Sequence, residues 1–247
     1  MLKTRRLVLY GLLGLVLAVL CTGCSRKEGA AYPLSATLRA VQVGDYYEYV
    51  IRGTAIQPGM DPEDAVAVAG TTRVSVSDGG FTASNDPILR FEYITTLQVG
   101  DQIIETRFAL HYVQTRNPRD LVLIAYEDES GNVTPITPPM YAVPGQWNVG
   151  YSRSYTNPFV YSFTVIGHDV VKTPRGKFTA WRCIVRSQVR PNDPLENAVR
   201  TVWYAPQTGM PVASQLSTTL RIGEETWTVS LQQQLSFTTV PIPETNL

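Results

Sequence analysis

From Gly44 onward the apolar residues of this chain recur at every second position, and that period constrains the fold more than any other feature. Trp227, Val229, Leu231, Leu235 and Phe237 alternate with Thr228, Ser230, Gln232, Gln234 and Ser236. Successive side chains of a strand point to opposite faces, so such a stretch sets one face in a core and the other in water. Gln233 is the exception, a polar residue on the apolar side. The same alternation runs through Val212, Leu216, Leu220 and Ile222, and through Ile104, Phe108, Leu110 and Tyr112.

Further runs lie near Tyr46 to Ile51, Thr72 to Ser77, Leu89 to Gln98, Leu121 to Tyr126, Val160 to Val171, Phe178 to Val189 and Arg200 to Tyr204, about ten strands in all. Turn chemistry separates them at Asp78-Gly79-Gly80, Val99-Gly100-Asp101-Gln102, Thr173-Pro174-Arg175-Gly176-Lys177 and Ala205-Pro206-Gln207-Thr208-Gly209. Strands joined so tightly run antiparallel. The expected fold is all-β, a single curved antiparallel sheet forming a half-barrel or open barrel, with at most one or two short helices. Pro33 to Val41 is the candidate helix, with Ser35 as its N-cap.

Two stretches fall outside the meander. One is Ala55 to Gly70, with Asp61, Glu63 and Asp64; the other is the longer Ser130 to Pro158. The second carries five prolines together with Tyr141, Trp147, Tyr151 and Tyr155, and it lies between five strands and five strands. Long loops in compact domains are uncommon and often functional. These four aromatics are therefore the candidate ligand- or partner-binding residues, and the segment is expected to cross between the two halves of the sheet as plug, lid or binding loop.

The first 24 residues have the order of an export signal. Lys3, Arg5 and Arg6 form a basic head, and Leu7 to Leu20 is an uncharged run of 14 residues. A bilayer crossing needs about 20 apolar residues, so the run is too short for one and reads as the core of a signal peptide. Cys21-Thr22-Gly23-Cys24 then meets polar Ser25-Arg26-Lys27. This resembles the lipobox of bacterial lipoproteins, although Cys21 stands where that family prefers Leu.

The resemblance implies a signal peptide over 1–23 and a diacylglycerol on Cys24. A tether follows to residue 33, then a domain over 34–247, lipid-anchored in the cell envelope outside the cytoplasm. Thr4-Arg5-Arg6 weakly resembles the twin-arginine signal, which leaves the export route open. With Cys21 removed and Cys24 lipidated, Cys183 is the one remaining thiol. It shares an apolar face with Trp181 and Val185, as a buried packing residue does.

Charge names no partner. Lys plus Arg and Asp plus Glu both number 21, and removing Lys3, Arg5 and Arg6 with no acid leaves a formal net charge of minus three. A nucleic-acid partner is not expected. The mature chain has none of the local patterns of a nucleophile elbow, a P-loop, a dinucleotide site or a zinc protease. Its two histidines, His111 and His168, have no partner legible in sequence, and both read as exposed. No metal, cofactor or enzymatic activity is expected.

Three places carry a further resemblance. Val43-Gly44-Asp45-Tyr46-Tyr47-Glu48-Tyr49 is similar to the G-x-x-W/Y-x-Y opening strand of uncharacterised bacterial envelope lipoproteins. The segment from Val171 to Trp181 resembles their P-x-G-x-F hairpin, and Trp203 to Met210 their W-Y-A-P-x-x-G turn. Those proteins look like relatives of the lipoprotein-carrier half-barrels of the LolA and LolB type, which hold acyl chains on a concave sheet closed by helices. This chain offers one helix candidate rather than several. A non-enzymatic interaction or scaffolding module in the envelope therefore ranks first, binding of a lipid or other apolar ligand second, and an envelope hydrolase third.

Overall fold

The alternating segments assemble into one antiparallel sheet of twelve strands, seen in a computed structural model that describes residues 31–156, 160–187, 199–222 and 225–242. The strands are β1 (Tyr46–Ile56), β2 (Val66–Phe81), β3 (Pro87–Val99), β4 (Gln102–Gln114), β5 (Leu121–Glu127) and β6 (Val133–Val143). They continue as β7 (Ser152–Tyr155), β8 (Tyr161–Thr173), β9 (Gly176–Ser187), β10 (Val199–Ala205), β11 (Met210–Ile222) and β12 (Glu225–Thr238). Two single-turn 3-10 helices, Pro62–Asp64 and Pro206–Thr208, are the helical elements among the described residues.

The spatial order is β6-β5-β4-β3-β2-β1-β12-β11-β10-β9-β8-β7. Every neighbour in it is also a neighbour in sequence, except that β1 pairs with β12. The sheet therefore curls through its first and last strands, and its two free edges, β6 and β7, face one another to make a nearly closed barrel. Consecutive pairing of this kind follows from the short turns, which leave no room for a crossover.

Several sequence expectations are corrected. There are twelve strands rather than ten, because Ser130 to Pro158 contains β6 and β7, and the unpaired stretch shrinks to the crossing between them. Three prolines on β6 mask it as loop; a strand at the edge tolerates them because its outer N–H groups have no ladder partner. Ala55 to Gly70 likewise shrinks to the exposed loop between β1 and β2. Asp78-Gly79-Gly80 is a bulge inside β2, and the hairpin turn follows at residues 82–86.

Pro33 to Val41 forms no helix. Ser35 Oγ bonds locally, accepting from the Thr37 amide at 3.2 Å, and the segment runs as an irregular strap across one end of the barrel. Tyr32 starts it, bridging Phe178, with its amide donating to the Lys177 carbonyl at 2.8 Å and its carbonyl accepting from Thr179 at 2.9 Å. The Leu38 amide donates to Gly145, the Arg39 amide to Pro206 and the Val41 amide to Gln114 Oε1. Leu38 is fully buried.

The three motifs meet under this strap. Tyr47 Oη donates to the Thr208 carbonyl at 2.7 Å, and Trp181 Nε1 donates to the Ser35 carbonyl at 2.7 Å. Gly209 takes a left-handed φ of 79° beneath Val41, a conformation open to glycine at little strain. The motifs are thus the seating of the strap.

Two apolar clusters result. The larger fills the strapped end around Tyr47, Phe91, Phe178, Leu121 and Met140. A smaller one, with Ala55, Val68, Val99, Leu220 and Val229, joins β1, β2, β3, β11 and β12. Cys183 is fully buried in the larger cluster.

Candidate functional site

Between the two clusters lies a cavity of about 280 Å³, bordered by residues of eleven of the twelve strands. Strand number explains it. Side chains just fill the interior of a barrel of about eight strands, and a wider one leaves space. Tyr93, Phe108, Leu110 and Leu216 point inward yet are only half-buried, as residues facing an unfilled lumen are.

The wall is mainly apolar and rich in rings. Tyr93 and Phe108 stack at 4.7 Å between centroids, and Phe91 meets Tyr112 edge-on at 5.0 Å. The buried tyrosines spend their polar ends on backbone. Tyr49 donates to the Pro211 carbonyl at 2.9 Å, Tyr204 to the Gly209 carbonyl at 3.0 Å, and Tyr161 to the Ala142 carbonyl. Burial raises the pKa of all three above the ordinary tyrosine range, so they stay neutral. What remains for the lumen is ring surface.

A polar belt crosses this wall at mid-height. Thr72, Thr95 and Thr106 stand directly opposite one another on β2, β3 and β4, and the Thr72 and Thr95 hydroxyls are 2.8 Å apart. On the far side Ser214 pairs with Gln233 across β11 and β12, with Ser214 Oγ donating to Gln233 Oε1 at 3.3 Å. Arg200 lies on β10, opposite Leu216 of β11, and is the one charged residue lining the cavity among the described residues. Gln233, the break in the alternation of β12, is the sequence signal that pointed here. Arg200 gave no such signal, because its short strand begins beside it.

The four aromatics singled out in sequence are separated. Trp147 enters the core, with its ring centroid 5.5 Å from Phe163 and 4.6 Å from Tyr204. Tyr141, Tyr151 and Tyr155 gather instead at the seam between β6 and β7. There Arg153 lies over the Tyr141 and Tyr151 rings at 4.5 and 5.5 Å, and the Tyr141 amide donates to Tyr155 Oη at 3.2 Å. Arg153 also approaches Asp120 at 3.9 Å, while Asp120 accepts from the Gly145 amide at 2.6 Å. Gly145 passes so close that a Cβ would stand 2.3 Å from the Arg119 nitrogen. Cys24 lies outside the described residues.

The outer wall is charged. Arg90 makes two bonds to Glu127, at 2.7 and 2.8 Å, and a third to Glu92, which also receives Arg107. His111, expected to be free and exposed, stands on this polar face but is largely covered and sits 2.9 Å from Glu127. His168 is exposed, edge-on to Trp181. On β3, β4 and β5 a charged outside and an apolar inside invert the pattern of a transmembrane β-barrel. No helix among the described residues is long and apolar enough to cross a membrane. Among the described residues no three His, Cys, Asp or Glu side chains gather as a metal site, and no carboxylate or imidazole lines the cavity.

No protein-family model matches the chain, and no curated protein matches it. Among solved structures it is similar to a predicted exported protein with a YmcC-like fold from Bacteroides fragilis, with 14% identity over 83% of this chain and 100% of that one and a TM-score of 0.32. It is similar also to a DUF1329 family protein from Desulfovibrio piger, at 8% identity, 84% and 88% coverage and a TM-score of 0.23. A porin-like protein from Bacteroides uniformis is similar at 10% identity, 84% and 100% coverage and a TM-score of 0.22.

Proposed function

We propose that this protein is an envelope lipoprotein, held to a membrane through Cys24, whose barrel lumen binds an apolar ligand without catalysing a reaction on it. The observation that carries the reading is the ring-lined cavity of about 280 Å³. Ligand pockets are concave and mostly apolar, with a few polar groups, and begin at about 300 Å³. The lumen has that composition and stands at that lower bound. Export and lipidation rest on the basic head, short apolar run and lipobox of residues 1–24.

The scaffolding alternative draws on the sheet's free edges and on an exposed aromatic patch. The β6 edge is blunted. Pro135, Pro138 and Pro139 remove donors from β6, and the Tyr141 amide is already bonded across the seam. Tyr141, Tyr151 and Tyr155 hold Arg153 rather than standing free. Ligand binding therefore leads. A hydrolase would need carboxylates converging on a cleft, and among the described residues the lumen wall presents hydroxyls, an amide and a guanidinium instead.

The test uses the chain from Ser25 onward, since Ala31–Leu247 is one compact unit with its own core. The neutral apolar dye N-phenyl-1-naphthylamine is expected to bind saturably with a rise in fluorescence. Thr106→Trp fills the lumen from a half-buried position and is expected to weaken binding at least tenfold with an unchanged thermal melt. Absence of saturable binding to the unaltered protein, or full binding to the Trp variant, sinks the reading.

A further inference from the structure

The make-up of the polar belt is one-sided in charge among the described residues. Among the described residues lining the cavity there is one cation, Arg200, with hydroxyls and one amide, and no anion. Arg200 and Val202 share a face of β10; Val202 is opposite Ser214, and Ser214 is opposite Gln233. Arg200, Ser214 and Gln233 thus occupy diagonal and direct cross-strand positions on one face of three adjacent strands, where side chains are within mutual reach of one small group. With the Gln233 carbonyl oxygen accepting from Ser214, the NH₂ end of that amide is its donor side. Guanidinium and amide donors converge beside an apolar chamber, with the Ser214 proton already given to Gln233.

From this juxtaposition we infer that the ligand is a single-chain amphiphile with an anionic head, its head at Arg200 and Gln233 and its chain among the lumen rings. The inference rests on the proposed ligand-binding function and names the ligand's class. Three features select it. A guanidinium with an amide donor beside it matches a carboxylate or phosphate, and would repel an ammonium head. A cavity of about 280 Å³ admits one chain and excludes the two or three of a membrane lipid or lipoprotein. Rings whose hydroxyls are already committed to backbone carbonyls have only their faces to give, which suits a hydrocarbon chain. Arg200 also has an interaction within the protein, but its five N–H donors serve an internal partner and a head group together.

Four probes of equal chain length separate the possibilities when titrated below their micelle concentrations into the chain from Ser25 onward: dodecanoate, dodecyl phosphate, dodecanol and dodecyltrimethylammonium. At least one anion is expected to bind ten times or more tighter than the alcohol, a difference of about 1.4 kcal/mol. The ammonium is expected to bind more weakly than the alcohol. Arg200→Gln should bring the anion to the alcohol's affinity and leave the alcohol unchanged, with Arg200→Lys recovering part of the difference. Preference for dodecanoate marks a carboxylate head and preference for dodecyl phosphate a phosphate head. Anion and alcohol binding alike, or an Arg200→Gln loss shared equally by both, overturns the assignment of the head group while leaving the apolar lumen intact. If none of the four binds, the lumen reading falls with it.

Discussion

The guanidinium of Arg153 on β7 stacks on the ring of Tyr141 on β6, 4.5 Å from its centroid, across the one place in the sheet where neighbouring strands share no ladder. Together with the Tyr141 amide bond to Tyr155 and the Tyr161 bond to the Ala142 carbonyl, it makes the seam a side-chain closure.

Removing that closure has a local signature. Arg153→Ala is expected to lower stability by about 1 kcal/mol, the size of a partly exposed cation–π contact. Tyr155→Phe should cost about as much, through the lost acceptor. Denaturant midpoints measure the loss, and hydrogen exchange locates it. Faster exchange should be confined to β6 and β7, and unchanged exchange at the Tyr141 amide would show that something else holds the seam.

Burial pushes the Cys183 thiol up to about 12, so at neutral pH it is protonated as well as enclosed. It should resist an aromatic disulfide reagent in the native protein and react fully after denaturation. Rapid modification without unfolding would place Cys183 on the wrong face of β9.

Acid should loosen the outer wall between β3 and β5. The Arg90 guanidinium, hydrogen-bonded to Glu127, holds that carboxyl down to about 2, below the ordinary value of 4.5. A depressed folded-state pKa contributes stability above the unfolded value and loses it as pH falls, so the loss runs from about pH 4.5 down through 2. Because the network lies on the surface, the contribution is expected to be at most about 1 kcal/mol and to shrink in salt. Melts from pH 6 to 2 should show Glu127→Gln with a shallower decline than the wild type; parallel curves would refute the linkage.

Cys24→Ala is expected to leave an unprocessed precursor that takes up no labelled palmitate, since attachment to the thiol precedes cleavage in lipoproteins. Equal labelling of both forms would remove the anchor from the reading.

Much of the sheet is legible because burial on one face writes a period of two into every long strand. What the period could not show is where it slips. Phe237 continues the apolar rhythm of β12 but is half exposed, since a register shift opposite Glu48 and Tyr49 turns Thr238 inward instead. Ser35 looks like a helix cap because its hydroxyl does bond the backbone two residues on; the partners that make the segment a strap are Gly145, Pro206 and Lys177, all remote in sequence. The aromatics of residues 141–155 were recognisable as ordered, but their division between core and seam depends on which edge each strand joins. Gln233 was visible as an anomaly, and its meaning came only with the lumen around it.

The pairing of β1 with β12 makes the molecule a circular permutation of an ordinary up-and-down meander. The Thr238 hydroxyl bonds the Tyr46 carbonyl 192 residues away, and until that contact forms β1 presents a raw edge to anything nearby. Loop closure over such a distance slows folding and prolongs the interval in which strands can pair with the wrong chain. The same sheet begun at β7 and ended at β6 would contain only neighbour-to-neighbour hairpins, so the natural order exchanges speed of folding for a barrel whose weakest line falls away from its first and last strands.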